Sequence, residues 1–348
     1  MATYSVEVRD LFFAGHAVRA SNVPFSDFSF GMVLNGAGMF EGTIALANVP
    51  ANFTPGNREI LVYRDGAQVW GGYLDTVDVD PVAKTMRVGG EGYWSRVRKR
   101  LVRGTALFQN ATLNSIAWDL VSTTTGTQGL SSGDLGIRQG THTGATKTAA
   151  KRVYCGADLR FIGDIVENFA ENGNLDFELT PSRTASRASL LNTWKRRGTD
   201  RSATIALTGS NTITLDYTIS AVDLLTTALV YSNNQCDMPW EPHAAERNKA
   251  TYGVLDVAIT IDQKELTEAQ EAATEALRVM SSPLWTAYAS YYEGTGPALS
   301  AYDIGDTISI TPADGYTAGS KALQVHERQV LVGPEGAIVN LTLEERQA

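Results

Sequence analysis

Two stretches of the chain, one near each end, repeat the same order of apolar runs and turns. Residues 58–94 read as a strand, a turn at Asp65-Gly66, a longer strand, a polar turn at Asp80-Pro81 and a further strand. Residues 304–343 read as a strand, a glycine-rich turn, a longer strand, a second turn and a last strand. Apolar runs bounded by Gly, Pro and Asp are typical of antiparallel strands. The repetition predicts two related β units in one polypeptide, which favours a symmetric assembly over an active site.

The first hundred residues are predicted to be all β. Nearly every side chain of residues 59–63 is apolar or aromatic, which indicates a strand covered on both faces. Asp65-Gly66 provides the positive φ angles of a two-residue hairpin turn, which glycine adopts without steric cost. The pattern changes after Trp94, where a short basic helix or strand end closes a first domain at 1–103.

A mixed α/β domain is predicted at 104–200. Residues 111–123 carry apolar side chains at three-and-four spacing, as in an amphipathic helix. The Thr-, Ser- and Gly-rich residues 124–151 are predicted to form a flexible loop. A second helix is expected to begin with Asp158 as its N-cap and to end at Asn172-Gly173, before an alternating strand.

Strands return in the predicted third domain at 201–348. Four are indicated, over 203–207, 212–217, 224–231 and 253–261, before the terminal β unit. One helix is predicted among them at 267–280, because that stretch is rich in Ala and Glu and is followed by Pro283. The fold class expected for the whole chain is therefore mainly β with α/β insertions.

Length and charge narrow the possible functions. A chain of 348 residues is long enough for two or three domains. Its net charge of −9 argues against binding nucleic acid through phosphate neutralisation. No apolar run approaches the ~20 residues of a membrane span, and residues 1–10 lack the pattern of a signal peptide. Cys155 and Cys236 match no metal spacing and are interpreted as two buried thiols.

The motifs that carry chemistry are not found in the sequence. The four histidines (16, 142, 243 and 326) do not cluster. Asp78 and Asp80 share one face of a predicted strand, but no third carboxylate is near in sequence to complete a cation site. The glycines of 89–92 do not follow the order of a phosphate-binding loop. We therefore predict no catalytic, cofactor-binding or metal-binding residue.

One basic group stands out as a candidate contact surface. Arg96, Lys99, Arg100 and Arg103 form a single stripe if their segment is helical. Such a stripe is open to three interpretations: a solvated face, a contact with nucleic acid, or a contact with an acidic protein. Because the chain is acidic overall, we favour the acidic protein partner.

The order of these motifs resembles a known family. The segment YRDGAQVWGGYLDTVDVD, followed by MRVGGEGYWSRVRKRLV, resembles the N-terminal barrel of baseplate or tail-hub proteins of long-tailed bacteriophages. The segment TITLDYTISAVDLLTTALVYSNN resembles the opening of their second barrel, and YDIGDTISIT resembles a later strand of it. The resemblance is one of pattern and order across most of the chain, and residues 124–151 match nothing in the family.

The resemblance implies two tail-tube-like β-barrels per chain, at 1–103 and 201–348, separated by the mixed domain. It further implies a homotrimer whose six barrels form a pseudo-hexameric ring at the tail tip of the virion, assembled in the host cytoplasm. The implied partners are a distal tail ring protein, tail fibre or tip proteins and the tape measure protein, with DNA passing through the lumen only in transit. No cofactor and no enzymatic activity are implied.

Two alternatives stay open at this point. The chain could be a hexameric distal tail ring protein with one barrel and an appended carbohydrate-binding-like module. The repeated unit argues against this interpretation, because such a ring needs one barrel per chain. The other alternative is a tail-associated cell-wall hydrolase, which would have an active site that the motifs do not indicate.

Overall fold

A computed structural model of the chain describes residues 2–15, 17–51, 53–102, 104–125, 134–144, 146, 148–171, 175–184, 186–232, 243–261, 273–274, 277, 280–313 and 319–345. The strands of the first part are β1 Tyr4–Asp10, β2 Val18–Ala20, β3 Phe25–Val33, β4 Met39–Ala45, β5 Arg58–Arg64, β6 Ala67–Asp80 and β7 Thr85–Gly92. The middle strands are β8 Ala106–Thr112, β9 Ile137–Thr143, β10 Thr148–Tyr154, β11 Asp176–Thr184 and β12 Arg187–Trp194.

The described residues of the last part of the chain form nine more strands. They are β13 Ala206–Thr208, β14 Thr214–Ser220, β15 Thr227–Ser232, β16 His243–Glu246, β17 Asp256–Ile261, β18 Leu284–Tyr292, β19 Thr307–Thr311, β20 Lys321–Gly333 and β21 Gly336–Glu344. The helices are α1 Trp94–Arg98, α2 Leu113–Thr125, α3 Ile162–Glu171 and α4 Lys249–Tyr252. The prediction of a mainly β fold is confirmed. No helix of the described residues is long and apolar enough to cross a membrane.

One sheet of thirteen strands runs through both ends of the chain. Its main order is β14-β18-β21-β20-β3-β4-β7-β6-β5-β1-β2, and β13 joins it through β19, which pairs with β20. The strands β1 to β7 form an N-terminal half of this sheet, and β13, β14 and β18 to β21 form a C-terminal half. The two halves meet where β3 pairs with β20. Both predicted β units therefore exist, and they are hydrogen-bonded into a single sheet.

The N-terminal half curls around its own core. Tyr4 on β1 and Phe30 on β3 are near opposite ends of this half, yet their ring centroids are 6.0 Å apart. Val23, just before β3, donates its backbone N–H to the carbonyl of Val6 on β1 at 2.9 Å. The core shared by the facing strands consists of buried apolar residues, among them Phe40, Ile44, Ile60, Val62, Trp70 and Leu74. The two-residue turn is also as predicted, with φ of 50° at Asp65 and 79° at Gly66.

The C-terminal half has a separate core. It is built from residues that alternate along its strands, among them Leu207, Ile308, Ile310, Leu323, Val325, Val339, Leu341 and Leu343. The period-two alternation follows from strand geometry, in which successive side chains point to opposite faces. The prediction of a second β unit at the end of the chain follows from this same alternation.

The middle of the chain packs two helices against two small sheets. One sheet has the order β11-β12-β9 and the other pairs β10 with β8. The predicted amphipathic helix is α2, whose apolar face is buried at Leu113, Ile116, Ala117, Leu120 and Val121. The interior also takes in Trp94 and Phe177, whose ring centroids are 4.3 Å apart. The domain boundaries themselves stay predictions.

Two sequence-based expectations for this region are wrong. Residues 124–151 are not a loop throughout, because β9 and the first part of β10 lie within them; these polar strands are ordered by pairing with β12 and β8. The second helix begins at Ile162 rather than after Asp158. Asp158 lies in a short 3-10 turn, and Leu159 follows with a left-handed φ of 51°, which interrupts the helical path.

Two further predictions fall largely outside the described residues. Only Ala273, Thr274, Leu277 and Met280 of the predicted helix at 267–280 are described, and all four are helical. Cys236 is not among the described residues, whereas Cys155 is free and half-buried. A separate three-stranded sheet of order β16-β15-β17 occupies the chain between β14 and this helix.

A buried ion pair fixes the middle of the chain against the N-terminal half. Glu59 on β5 is fully buried and lies 3.0 Å from the guanidinium of Arg183 on β11. The backbone N–H of Phe12 also donates to Glu59 at 2.9 Å, and the N–H of Arg183 donates to the side-chain carbonyl of Gln68 at 2.9 Å. Burial raises the pKa of Glu59 to about 7, although Arg183 opposes the rise. The pair therefore orients β11 on the first half and leaves a carboxyl that titrates near neutrality.

We expect the stability of the protein to depend on pH through Glu59. A carboxyl whose pKa is higher in the folded state stabilises the fold fully below its unfolded pKa of 4.5, and this contribution is lost as the pH rises through about 7. Between pH 5 and 8 the free energy of unfolding of the wild type should therefore fall by about 2–3 kcal/mol more than that of Glu59→Gln. Urea unfolding across this range measures the difference.

The exposed Glu41 on β4 provides a matched control. Glu41→Gln should follow the wild-type pH profile. Parallel profiles for Glu59→Gln and the wild type would contradict the role assigned to Glu59.

Candidate assembly interface

The two sheet halves share a three-stranded meander with a bulge at the same place. The first is β5-β6-β7, with strands of 7, 14 and 8 residues, and the second is β19-β20-β21, with strands of 5, 13 and 9 residues. The register of β6 against β7 shifts at Asp75, and that of β20 against β21 shifts at His326. Bulges of this kind bend a strand and redirect its remaining length. The sequence repeat is therefore a repeat of structure.

Each meander continues outward through two further antiparallel strands. In the N-terminal half these are β4 and β3, and in the C-terminal half they are β18 and β14. Strand β6 thus corresponds to β20, and β3 corresponds to β14. The outermost elements differ, because β1 is antiparallel to β5 whereas β13 is parallel to β19.

A direct edge-to-edge contact joins the two halves. In this β3–β20 joint, residues 28–33 pair with residues 327–332, from Val33 opposite Glu327 to Phe28 opposite Val332. One further hydrogen bond extends it, from the N–H of Leu34 to the carbonyl of His326 at 2.9 Å. The joint is therefore a continuous antiparallel ladder, a pairing that is slightly more stable per residue than a parallel one.

The cores of the two halves interlock at this joint. Val330, on the C-terminal strand β20, is 2% exposed and belongs to the core of the N-terminal half. Leu34, just after β3, is buried in the core of the C-terminal half. Trp70 reinforces the N-terminal side, because its indole N–H donates to the carbonyl of Gly31 at 2.9 Å. The halves are thus fixed both by hydrogen bonds and by exchanged side chains.

A network of ion pairs around Asp303, called the Asp303 bridge here, connects the joint to the middle of the chain. Arg328, buried on β20, donates to the carbonyl of Tyr302 at 3.1 Å and lies 3.3 Å from the carboxylate of Asp303. The same Asp303 lies 2.9 Å from Arg197, which in turn lies 2.8 Å from Glu178 on β11. Burial raises the pKa of Glu178, and Arg197 opposes that rise. Two arginines sharing one aspartate thus couple β20 to the middle sheet.

The predicted basic stripe is divided by the end of α1. This helix ends at Arg98, so the four predicted residues do not follow one helical face. Arg96 lies over the ring of Tyr73, with its guanidinium carbon 4.6 Å from the ring centroid, and donates to the carbonyl of Gly56 at 3.0 Å. Lys99 is exposed and Arg100 is half-buried, while Arg103 lies outside the described residues. Their contact with an acidic partner stays a prediction.

The other candidate residues have local structural surroundings. Asp80 accepts the backbone N–H groups of Val82 and Ala83 at 2.9 and 2.8 Å, and so shapes the turn after β6. His326 occupies the bulge of β20, with its Nδ1 3.7 Å from Glu344. Among the described residues, no three His, Cys, Asp or Glu side chains are grouped so as to hold a metal ion.

The β3–β20 joint and the Asp303 bridge were not predicted from the sequence. The joint has a signal that could have indicated it. Strand β20 has 13 residues but its neighbour β19 has only 5, so much of one edge of β20 needs a second partner. The bridge has no comparable signal, because Asp303, Arg197 and Glu178 are distant in sequence and belong to no common local pattern.

The fold has counterparts among solved structures. A tail protein from Neisseria meningitidis MC58 superposes with a TM-score of 0.67 at 14% identity, over 98% of this chain and 96% of that chain. The 43 kDa tail protein of prophage MuSo2 from Shewanella oneidensis gives a TM-score of 0.66 at 13% identity, over 99% and 97%.

The E. coli c3393 protein extends the comparison beyond phages. It is described as a component of the type VI secretion system with structural similarity to the bacteriophage T4 tail proteins gp27 and gp5. It gives a TM-score of 0.51 at 10% identity, over 99% of this chain and 76% of that chain. Neither a protein-family model nor a curated sequence matches the chain. The chain therefore has the fold of phage tail proteins, and the predicted resemblance is confirmed at the level of the fold.

We expect Trp70→Phe to weaken the N-terminal side of the joint. The substitution removes the indole donor to the Gly31 carbonyl and leaves a small void in a site that is 2% exposed. The free energy of unfolding should fall by about 1–3 kcal/mol, as measured by urea denaturation.

Trp285→Phe is the matched control for this substitution. Trp285 stacks on Tyr217 at 5.3 Å on a half-exposed face, and a phenylalanine ring preserves the stacking. A loss for Trp70→Phe no larger than that for Trp285→Phe would contradict the assigned role of the indole hydrogen bond.

Proposed function

We propose that this chain is a structural hub protein of a phage tail tip, and that it acts as a homotrimer whose six sheet halves form one pseudo-hexameric ring. The observation that carries the proposal is the duplicated β unit joined edge to edge within one chain. Because each chain has two related units, three copies place six similar units around one ring. A trimer of this kind can therefore meet a tail tube of sixfold symmetry. The fold similarity to tail proteins supports the same conclusion.

The ring would serve as a connector in the virion. In this role it continues the tail tube, binds a distal tail ring protein on one side and holds fibre or tip proteins on the other. The tape measure protein would end at the ring, and DNA would pass through its lumen during ejection. The net charge of −9 suits passage of DNA without strong attachment.

The exposed end of α1 is a proposed contact for an acidic neighbour in the tail. Lys99 projects there into solvent, with Arg100 beside it. We expect Lys99→Glu to weaken binding of the distal tail ring protein in a pull-down with purified components at low salt. Equal binding by Lys99→Glu and by Lys84→Glu, a lysine in the β6–β7 turn, would contradict this contact.

The trimer is testable on the purified chain. Native mass spectrometry and light scattering should show three copies, and electron micrographs should show a ring with a near-sixfold outline and true threefold symmetry. A monomer at high concentration would contradict the proposal. Six copies in one symmetric layer would favour a hexameric distal tail ring protein instead.

A further inference from the structure

We propose that the ring closes through one particular pair of sheet edges: the Thr76–Val79 edge of β6 in one copy pairs with the Tyr217–Ser220 end of β14 in the next. This inference rests on the proposed trimer and specifies its interface. Inside the chain β3 pairs with β20, whereas β14 and β6, the equivalent strands, do not pair with each other.

The length of β6 is the first observation. Strand β6 has 14 residues, whereas its neighbour β5 has 7 and pairs only with its first part, as far as Tyr73. In the described part of the chain, residues 76–80 pair on one side alone, with β7. The corresponding part of β20 has a partner on both sides, because β3 completes it. The second part of the long strand is thus paired on both sides in β20, whereas in the described part of the chain it is paired on one side in β6.

The strand that would complete β6 is β14 of a second copy. Strand β14 corresponds to β3, and it is the last strand of the sheet order, with β18 as its neighbour. Among the residues described, no strand lies on its other side. Repeating the β3–β20 joint between chains therefore brings β6 against β14. Each chain carries one edge of each kind, so the contact is head-to-tail, and three such contacts complete the proposed ring when the rotation between copies is 120°.

The two bulges set the register of this pairing. Thr76 and Glu327 are the first residues after the bulges, and inside the joint Glu327 pairs with Val33. Following the strand pairings outward from the two bulges makes Val33 on β3 equivalent to Ser220 on β14. The equivalent interchain pairs are Thr76 with Ser220, Val77 with Ile219, and Asp78 with Thr218.

The exposure of apolar side chains agrees with this register. Val79 is 47% exposed, although the equivalent Val330 is 2% exposed inside the joint. Its partner position would be Tyr217, whose ring stacks on Trp285 and offers an apolar surface. Ile219 is 39% exposed on the same strand. The apolar side chains left in solvent on the two edges are thus those that the pairing would cover.

The next pair in register limits the length of the contact. It would place Asp80 opposite Asp216, and like charges directly opposite are unfavourable. Asp80 also turns the chain away through its hydrogen bonds to Val82 and Ala83. The interchain ladder therefore ends at Val79 and is shorter than the joint within the chain.

A disulfide between introduced cysteines tests the edge and its register together. The N–H of Leu34 bonds the carbonyl of His326, so the Gly31–Gln329 pair belongs to the closer, non-hydrogen-bonded class. Asp78 and Thr218 are its interchain equivalents, and both are exposed. We expect Asp78→Cys/Thr218→Cys to form a covalent trimer on mild oxidation, seen on a non-reducing gel.

The controls separate the register from mere proximity. Each single variant should stay uncross-linked, and Asp78→Cys/Thr214→Cys, which is four residues out of register, should give little product. A trimer by native mass spectrometry without the covalent product would overturn this inference and leave the proposed function standing. A monomeric chain would overturn both.

A charge on the β14 edge gives an independent readout. Ile219→Lys should lower the apparent association of the trimer by about tenfold or more, because it places a charge inside the ladder. Ile213→Lys, at 48% exposure just before the strand, should change it by less than about twofold. Equal effects of the two substitutions would count against the pairing. Unchanged circular dichroism in both variants shows that the monomer fold is retained.

Discussion

The ladder between β3 and β20 is the contact on which the rest of the structure depends. Without it the chain would contain two curled sheets that share no edge. With it, the direction and spacing of the second half follow from the first, because strand pairing allows only one register once a side chain is buried on each side. Val330 and Leu34 provide that burial, since each lies in the core of the other half.

Buried charges then fix the middle of the chain to this framework. Arg183 meets Glu59 on the N-terminal half, while Arg197 and Arg328 share Asp303 beside the joint. Ion pairs of this kind add little net stability when desolvation is counted, but an unpaired buried charge is costly. Their effect is therefore on orientation, because a shifted domain would leave Glu59 or Arg183 buried without its partner.

The sequence predicted the local elements well and the long-range contacts poorly. The meander at 58–94 was predictable because Asp65-Gly66 and the apolar runs around it are local signals. Strands β9 and β10 were missed because they contain few large apolar side chains, and they are ordered by pairing with β12 and β8. The helix α3 begins later than expected because Leu159 interrupts it, and no neighbouring residue indicates a left-handed leucine. Among the candidate surface residues, Lys99 lies at an exposed position, whereas Arg96 packs on Tyr73 of β6, a contact that no local pattern indicates.

The position of the joint in the chain has a consequence for synthesis. Ser29 and Gln329, which contact each other across it, are 300 residues apart, so β3 is made long before its partner strand. At about 5–20 residues per second the interval is about 15–60 s, during which the edge of β3 is open on every nascent chain. Neighbouring ribosomes on one message hold many such edges close together, and exposed edges pair readily. This contact between distant residues forms late and slowly. The yield of correctly folded protein therefore depends on the rate of translation and on the spacing of ribosomes along the message.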